Sequence, residues 1–346
     1  MGKIFTVITT IQKPTSSVEK LLAKLLRYDI QLVVAGDRKG PGSFPGENIY
    51  FFSIEDQYRL GLKLAEHLPE NHYTRKNIGY LQAVSQGATC IYETDDDNAP
   101  LPSWAPRQAE VSAMNVSTLG WINVYRYFTD EHIWPRGFPL DAIAMSLAQL
   151  PLRDNVLRTV RAPIQQGLAN NSPDVDAVWR LVLDRPFDFA DGESIHLPPG
   201  AWCPFNSQST WWWPEAYPLL YLPSYCSFRM TDIWRSFIAQ RCLWELGYGM
   251  VFHPPEVFQE RNPHNLMHDF NEEIPGYQRN RELVQALEEI NIPSSKFNTA
   301  QALRICYETL VAHDFFPDKE MVLVDAWLHD LDSASKDKAT SMKRAD

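Results

Sequence analysis

The chain has 346 residues, of which 45% are hydrophobic and 22% charged, the balance of a globular enzyme built as one large domain or two smaller ones. A net charge of −11 and a pI near 5.3 exclude a basic nucleic-acid footprint and lend nothing to a polybasic membrane anchor. The five cysteines (Cys90, Cys203, Cys226, Cys242, Cys306) make no Cys-x-x-Cys pair and no zinc spacing, no apolar run reaches bilayer length, and the N-terminus is a poor signal peptide, so a cytoplasmic protein with reduced thiols is expected.

Residues 3–10 are β-branched and apolar, a buried first strand. It runs into the polar loop Thr9-Thr10-Ile11-Gln12-Lys13-Pro14-Thr15. Ser16 or Ser17 can cap a helix whose apolar positions Val18, Leu21, Leu22, Leu25 and Leu26 recur at helical spacing. Gln31 to Ala35 is a second strand ending in Gly36-Asp37, which completes a βαβ unit without a Gly-x-Gly-x-x-Gly fingerprint. Ile49 to Phe52 reads as a third strand, Glu55 to Leu68 as a helix, and Arg75 to Gln86 as another, closed by Gly87.

Next, Cys90-Ile91-Tyr92-Glu93-Thr94 runs straight into Asp95-Asp96-Asp97-Asn98. An Asp/Asn run is often a solvated turn. At the end of a buried strand it is a problem of charge: two carboxylates about 5 Å apart repel by roughly 3 kcal/mol at an effective dielectric of about 20. A divalent cation would offset that. Mg²⁺-like ions use few carboxylates and fill their shell with water and substrate phosphates. The expectation is a metal–diphosphate site at the carboxyl edge of a parallel sheet.

The second half is less regular. Leu119 to Phe128 is strand-like, Trp134-Pro135-Arg136-Gly137-Phe138-Pro139 irregular, Asp141 to Leu150 a short helix, and Val175 to Asp184 helix or strand. A polar loop from Pro204 to Thr210 meets Trp211, Trp212 and Trp213. Thr231-Asp232 caps a helix from Ile233 to Leu246, and Gly249 to Phe252 is a strand followed by a long loop from His253 to Gly276. Helices at Gln278–Glu289, Thr299–Ala312 and Asp318–Asp330 precede a polar tail after Asp332, and their apolar faces suggest a homodimer.

Arg75-Lys76-Asn77-Ile78-Gly79, followed by Gly87-Ala88 and Ile91 to Asp97, resembles the GT-A glycosyltransferase pattern, in which an Arg-Asn-x-Gly helix precedes a strand ending in Asp-x-Asp. More closely, the chain resembles the STELLO-type glycosyltransferases. The carrying stretches are Thr9 to Thr15, Val34 to Asp37, Arg75 to Tyr80, Trp134 to Pro139, Pro204 to Thr210, and Asp232 to Arg235 through Ala239 to Arg241. A fainter likeness is to the reversibly glycosylated polypeptides. STELLO proteins of plants carry a membrane anchor before this domain. This sequence shows none, so compartment and acceptor are not carried over.

The resemblance implies an α/β, GT-A-like fold. Its doubly wound nucleotide-sugar-binding half is residues 1–110, its acceptor and catalytic half, on a mixed central sheet, is residues 111–276, a C-terminal helical segment is 277–332, and a flexible tail is 333–346. It implies an inverting transferase that uses Mn²⁺ or Mg²⁺, a nucleotide-diphosphate sugar donor (a UDP-sugar first) and a glycan or lipid-linked acceptor in polysaccharide biosynthesis. Thr9, Thr10, Gln12 and Asp37 would meet base and ribose, and Lys76 and Asn77 the base or diphosphate. Arg75 would brace the acids. Asp95 and Asp97 would serve ribose and metal; Asp96 is counted with the donor-binding residues, although alternation along an extended strand would point it to the other side. Asp232 would be the general base. Asn206, Gln208, Thr210 and Trp212 would wall the sugar or acceptor. A late His (His253, His264 or His268) would join the metal, and Asp174 and Asp176 are lesser candidates. Two rivals share the scaffold: a sugar-nucleotide mutase or hydrolase, and a non-catalytic protein that binds a glycan or a partner.

Overall fold

Phe5, Val7 and Ile8 are all fully buried because the strand that holds them is covered on both faces. Phe5 and Val7 join one core, while Ile8 joins a second with Val18, Leu21 and Leu25. The structure, a computed structural model, describes residues 2–261, 265–292 and 298–342.

The chain opens with β1 (Ile4–Thr10), α1 (Ser16–Leu26), β2 (Gln31–Gly36) and β3 (Ile49–Phe52), as expected. Thr15, rather than Ser16 or Ser17, caps α1, its hydroxyl accepting from Val18 N. The helix expected over 55–68 is two, α2 (Ile54–Arg59) and α3 (Lys63–His67), with Gly61 between them at φ +68°. Then follow α4 (Lys76–Ser85), β4 (Cys90–Thr94), β5 (Asn98–Pro100), β6 (Glu110–Val116), β7 (Gly120–Trp121), α5 (Ile143–Ala148), β8 (Arg153–Arg161) and β9 (Ile164–Asn170). Only Gly120 and Trp121 of the strand expected at 119–128 are extended in a sheet, and Val124–Tyr127 is a 3₁₀ turn.

The remainder is α6 (Ala177–Leu183), β10 (Ile195–Leu197), β11 (Ala201–Trp202), β12 (Ser209–Trp212), α7 (Thr231–Glu245), β13 (Met250–Gln259), α8 (Leu266–Glu288), α9 (Thr299–Ala312) and α10 (Lys319–Met342). Much of the expected loop over 253–276 is therefore strand and helix. β13 continues through Pro254 and Pro255, and its register against β9 shifts around them. α8 holds Pro275 in its interior. α10 runs past Asp332, where a frayed tail was expected.

The main sheet has the order β3-β2-β1-β4-β12-β9-β13-β10-β6-β8, with β5 beside β13. β3, β2, β1 and β4 are parallel, β12 is antiparallel to both its neighbours, and β13 is parallel to β9. This is the expected α/β layout, a parallel half continued by a mixed one with a helical layer at the C-terminal end. The loops after β1, β2 and β4 leave the same edge, the one where open α/β sheets bind ligands. α10 packs on α3 and α4, and α9 on α7 and α8. Their buried faces are thus used within the chain, which removes the ground for a homodimer through them. No helix among the described residues is long and apolar enough to cross a membrane.

Candidate active site

β4 ends at Thr94 and β5 starts at Asn98, so Asp95, Asp96 and Asp97 occupy a turn. Strand alternation does not apply to them, and all three, including Asp96, line one cleft of about 230 Å³. Asp95 accepts from Lys76 Nζ at 2.8 Å, yet burial still pushes it up to about 6. Asp96 accepts from the Thr10 hydroxyl, and its backbone carbonyl accepts from Thr15, which ties the acid turn to the loop after β1. Asp97 accepts from Gln259 Nε2 at 3.1 Å through one oxygen, while Oδ1 is buried without a partner. Burial, then repulsion from Asp95, pushes Asp97 up to about 7.

Among the described residues no group of three or more His, Cys, Asp or Glu side chains is arranged to hold a metal. A Mg²⁺-like ion does not require one. Asp97, with its orphaned oxygen, and Asp95 beside it fit a cation that draws its other ligands from water and a diphosphate.

Deeper in the cleft Arg136 clamps two carboxylates. Its Nε and Nη2 donate to Asp174 at 2.7 and 2.8 Å, and its Nη1 and Nη2 donate to Asp232, both at 2.9 Å. Burial pushes Asp232 up, but the Arg136 guanidinium outweighs it and holds the carboxyl below the usual range. Ser207 donates to Asp232 at 3.4 Å and is also bonded to the Tyr73 hydroxyl.

A second pocket, about 400 Å³, adjoins the first through Thr9, Tyr73, Asp96 and Phe228. Thr10, Gln12, Asp37 and Lys39 also line it. Asp37 accepts from the backbone N–H groups of Arg38, Asn71 and His72 at 2.6, 2.7 and 2.8 Å, which fixes the loop that closes this pocket.

The family model for STELLO glycosyltransferases matches residues 229–341, a stretch that contains Asp232 and runs from α7 into α10. Two Arabidopsis thaliana proteins, "Probable glycosyltransferase STELLO1" and "Probable glycosyltransferase STELLO2", are each 26% identical over 94% of this chain. The chain is similar to the STELLO glycosyltransferases. It spans 44% of the length of those two relatives. A solved glucosyl-3-phosphoglycerate synthase from Mycobacterium tuberculosis, in complex with phosphoglyceric acid, aligns over 83% of this chain and 78% of its own at 9% identity, with a TM-score of 0.39. That likeness is too loose to add to the topology.

Thr9, Thr10, Gln12, Asp37, Asp95, Asp96, Asp97, Gln208 and Asp232 line the two pockets. Lys76 braces the acids in place of Arg75. Its ammonium, fully buried, also donates to Thr94 O at 2.6 Å and lies 3.8 Å from Glu93. Arg75 instead donates to the carbonyls of Ala65, Leu68 and Pro69, holding the chain between α3 and α4. Asn77 pairs with both backbone groups of Leu222, at 2.9 Å each. Trp212 is core, its indole donating to Glu93 at 2.9 Å and its ring lying under Arg235. Asn206 and Thr210 are buried in a backbone lock beside Gln166. Asp232 is not an N-cap: α7 starts one residue earlier and its cap position, Met230, offers no side-chain bond. Asp176 caps α6 and accepts from Trp134 Nε1. His268 is exposed in the first turn of α8, away from both linings, and His264 lies outside the described residues.

His253 is overturned as a metal ligand. It is fully buried, and its two ring nitrogens are bonded to Ser194 Oγ at 2.7 Å and Gln165 Oε1 at 2.9 Å. Burial holds it well below the usual histidine range. A histidine depressed on folding stabilises above its unfolded value of 6.5 and loses that contribution as pH falls. The loss is on the order of 1.4 kcal/mol per pH unit while the folded form stays neutral. His253→Gln should therefore flatten the fall in stability between about pH 7 and 5 by on the order of 1–2 kcal/mol in denaturant melts. It should also leave cation binding unchanged. An unaltered pH dependence would refute the assignment.

Sequence reasoning missed Arg136 as a clamp, as well as Arg180, Arg229, Arg261 and Gln259 on the cleft wall. The one signal was an arginine set between Pro135 and Gly137, where a rigid turn leaves a long side chain no helix to lie along.

Proposed function

We propose that this chain transfers a sugar from a nucleoside-diphosphate sugar, a UDP-sugar first, to a hydroxyl of a glycan or lipid-linked acceptor, with Mn²⁺ or Mg²⁺ and with inversion. The observation that carries the reading is Asp97. A half-buried carboxylate with one buried, partnerless oxygen stands beside two further acids, at the sheet edge where a second pocket opens. The similarity to the STELLO glycosyltransferases supports it.

The nucleoside lies in the pocket of Thr9, Thr10, Gln12 and Asp37. The diphosphate faces the acid turn, where a cation held by Asp97 and Asp95 would neutralise the leaving group. The acceptor oxygen forms its bond to the anomeric carbon as the bond from that carbon to the diphosphate breaks. The electron pair leaves with the diphosphate, and the hydroxyl proton passes to Asp232. The Arg136 pairing makes Asp232 a weak base, so it takes the proton late, once the hydroxyl is acidified by bond formation. It keeps the carboxylate ionised and aimed throughout.

The test is calorimetry of nucleoside diphosphates and nucleotide sugars with and without Mn²⁺. Cation-dependent binding of one nucleotide is expected, and a folded protein that binds none would refute the reading. Conversion of a nucleotide sugar without acceptor would replace transfer by a mutase or hydrolase. Asp232→Asn should lower kcat by about 10²–10⁴ and leave donor affinity within a factor of about two. An unchanged kcat would remove Asp232 from the chemistry.

A further inference from the structure

The cleft that holds the acid turn is also lined by three arginines: Arg180 from α6, Arg229 from the turn before α7 and Arg261 just past β13. Arg229 is paired with Glu273 at 2.8 Å, and Arg261 with Asp269 at 2.7 Å. Arg180 differs. It is only 6% exposed, and its guanidinium donates to neutral partners, Ser172 Oγ at 2.9 Å and the Pro173 carbonyl at 2.7 Å. Asp174, which follows Pro173 in the chain, spends both oxygens on Arg136. A guanidinium removed from water without an anion is unfavourable, and its planar fork suits a phosphate or carboxylate. Burial, then the neighbouring Arg261, draws Arg180 down to about 10, and burial and Arg229 lower Arg261. The three arginines therefore feel one another.

Their place relative to the acids decides what an anion there would be. Asp232 shares the Arg136 guanidinium with Asp174, the Arg229 carbonyl accepts from the same guanidinium, and Arg180 is bonded to Ser172 and Pro173 just before Asp174. Arg229 and Arg261 are held by Glu273 and Asp269, one turn apart on α8, so their guanidinium groups are neighbours. None of the three arginines lines the nucleoside pocket. The nucleoside pocket meets the acid turn at Asp96, and the guanidinium of Arg180 and the backbone of Arg229 adjoin the Arg136 clamp that holds Asp232. A donor occupies the pocket and the acid turn, and its anomeric carbon reaches Asp232. What meets Asp232 from the side of these arginines is the acceptor.

Resting on the transferase reading, we propose that Arg180, Arg229 and Arg261 form an acceptor-side anion subsite, so that the sugar acceptor carries a phosphoryl or carboxylate group. The neutral polar wall expected from Asn206 and Thr210 does not supply this side, since both are locked into backbone bonds.

The experiment is calorimetric titration with inorganic phosphate and with glycerol 3-phosphate, in chelator, on the wild type and on Arg180→Gln, Arg261→Gln and Asp97→Asn. Equal affinity in wild type and Asp97→Asn is expected, with at least ten-fold weaker binding in both arginine variants. Melting curves establish that each variant is folded, and Arg180→Lys, which keeps the charge, should retain part of the affinity. Binding that survives both arginine substitutions, or that is lost in Asp97→Asn, would overturn the proposal by placing the anion on the donor side. A donor-consumption assay then compares a prenyl phosphate in detergent, a soluble sugar phosphate and their dephosphorylated forms. Turnover with either phosphorylated form supports the subsite and names a lipid or soluble source, while equal turnover with the dephosphorylated forms refutes it. Arginine-dependent phosphate binding in a protein that binds no nucleotide would remove the transferase reading and leave the anion site standing.

Discussion

Asp97→Asn is expected to abolish cation-dependent nucleotide binding and leave the fold intact. The substitution keeps shape and removes one charge. In the wild type that charge is held in a turn with Asp95 and Asp96, and one of its oxygens has no partner. Without ligand the variant therefore melts at the wild-type temperature or above it, because a repulsion is gone. The loss should appear only in the Mn²⁺-nucleotide titration, as at least a 100-fold weaker affinity, or about 3 kcal/mol. The metal competes with a proton at a carboxyl pushed up to about 7, so wild-type cation binding should strengthen as pH rises through that value. Asp96→Asn is the contrasting control. Asp96 already has the Thr10 hydroxyl, so a smaller loss is expected there. Undiminished cation-dependent binding in Asp97→Asn would end the metal assignment.

That acid turn was legible in the sequence for a local reason. A buried apolar strand running into three carboxylates states its conflict within eight residues, and β1, α1 and β2 announce themselves by periodicity just as locally. Where partners are distant, the reading failed. β9 contains Gln165, Gln166 and Gly167, which look like loop. They are buried because their side chains are satisfied by Ala162, His253 and Asn206, and because Gly167 leaves room for the Glu256 carboxylate, which a Cβ there would meet at 2.2 Å. β8 is an edge strand whose Val156 and Leu157 stay exposed, so it has no clean alternation. β13 hides behind two prolines. In the site the same divide separates Asp97, found from its neighbours in sequence, from Arg136. The two acids that give Arg136 its role lie 38 and 96 residues away, and no pattern links the three.

Arg136→Ala is expected to be the most destabilising single change in the cleft, by about 3–5 kcal/mol in denaturant melts near neutral pH. Arg136 is 6% exposed and makes four bonds to Asp174 and Asp232, which are themselves buried. Its removal strands two carboxylates in one low-dielectric site, and neither has another cation in contact among the described residues. The folded state then favours the protonated form of Asp232, which only the Arg136 pairing had held low against burial, raising it above the unfolded value. Stability held below that value is lost as pH rises through the folded one, so the defect should be smallest near pH 5 and largest near pH 8. Arg136→Ala with Asp174→Asn should recover part of the loss, since one stranded charge is then gone. Arg136→Lys should fold better than Arg136→Ala but still turn over slowly, because an ammonium holds a point charge and cannot aim two carboxylates with one fork. A defect in Arg136→Ala under about 1 kcal/mol and independent of pH would mean that water already reaches the pair. Asp232 would then be free to act as an ordinary solvated base.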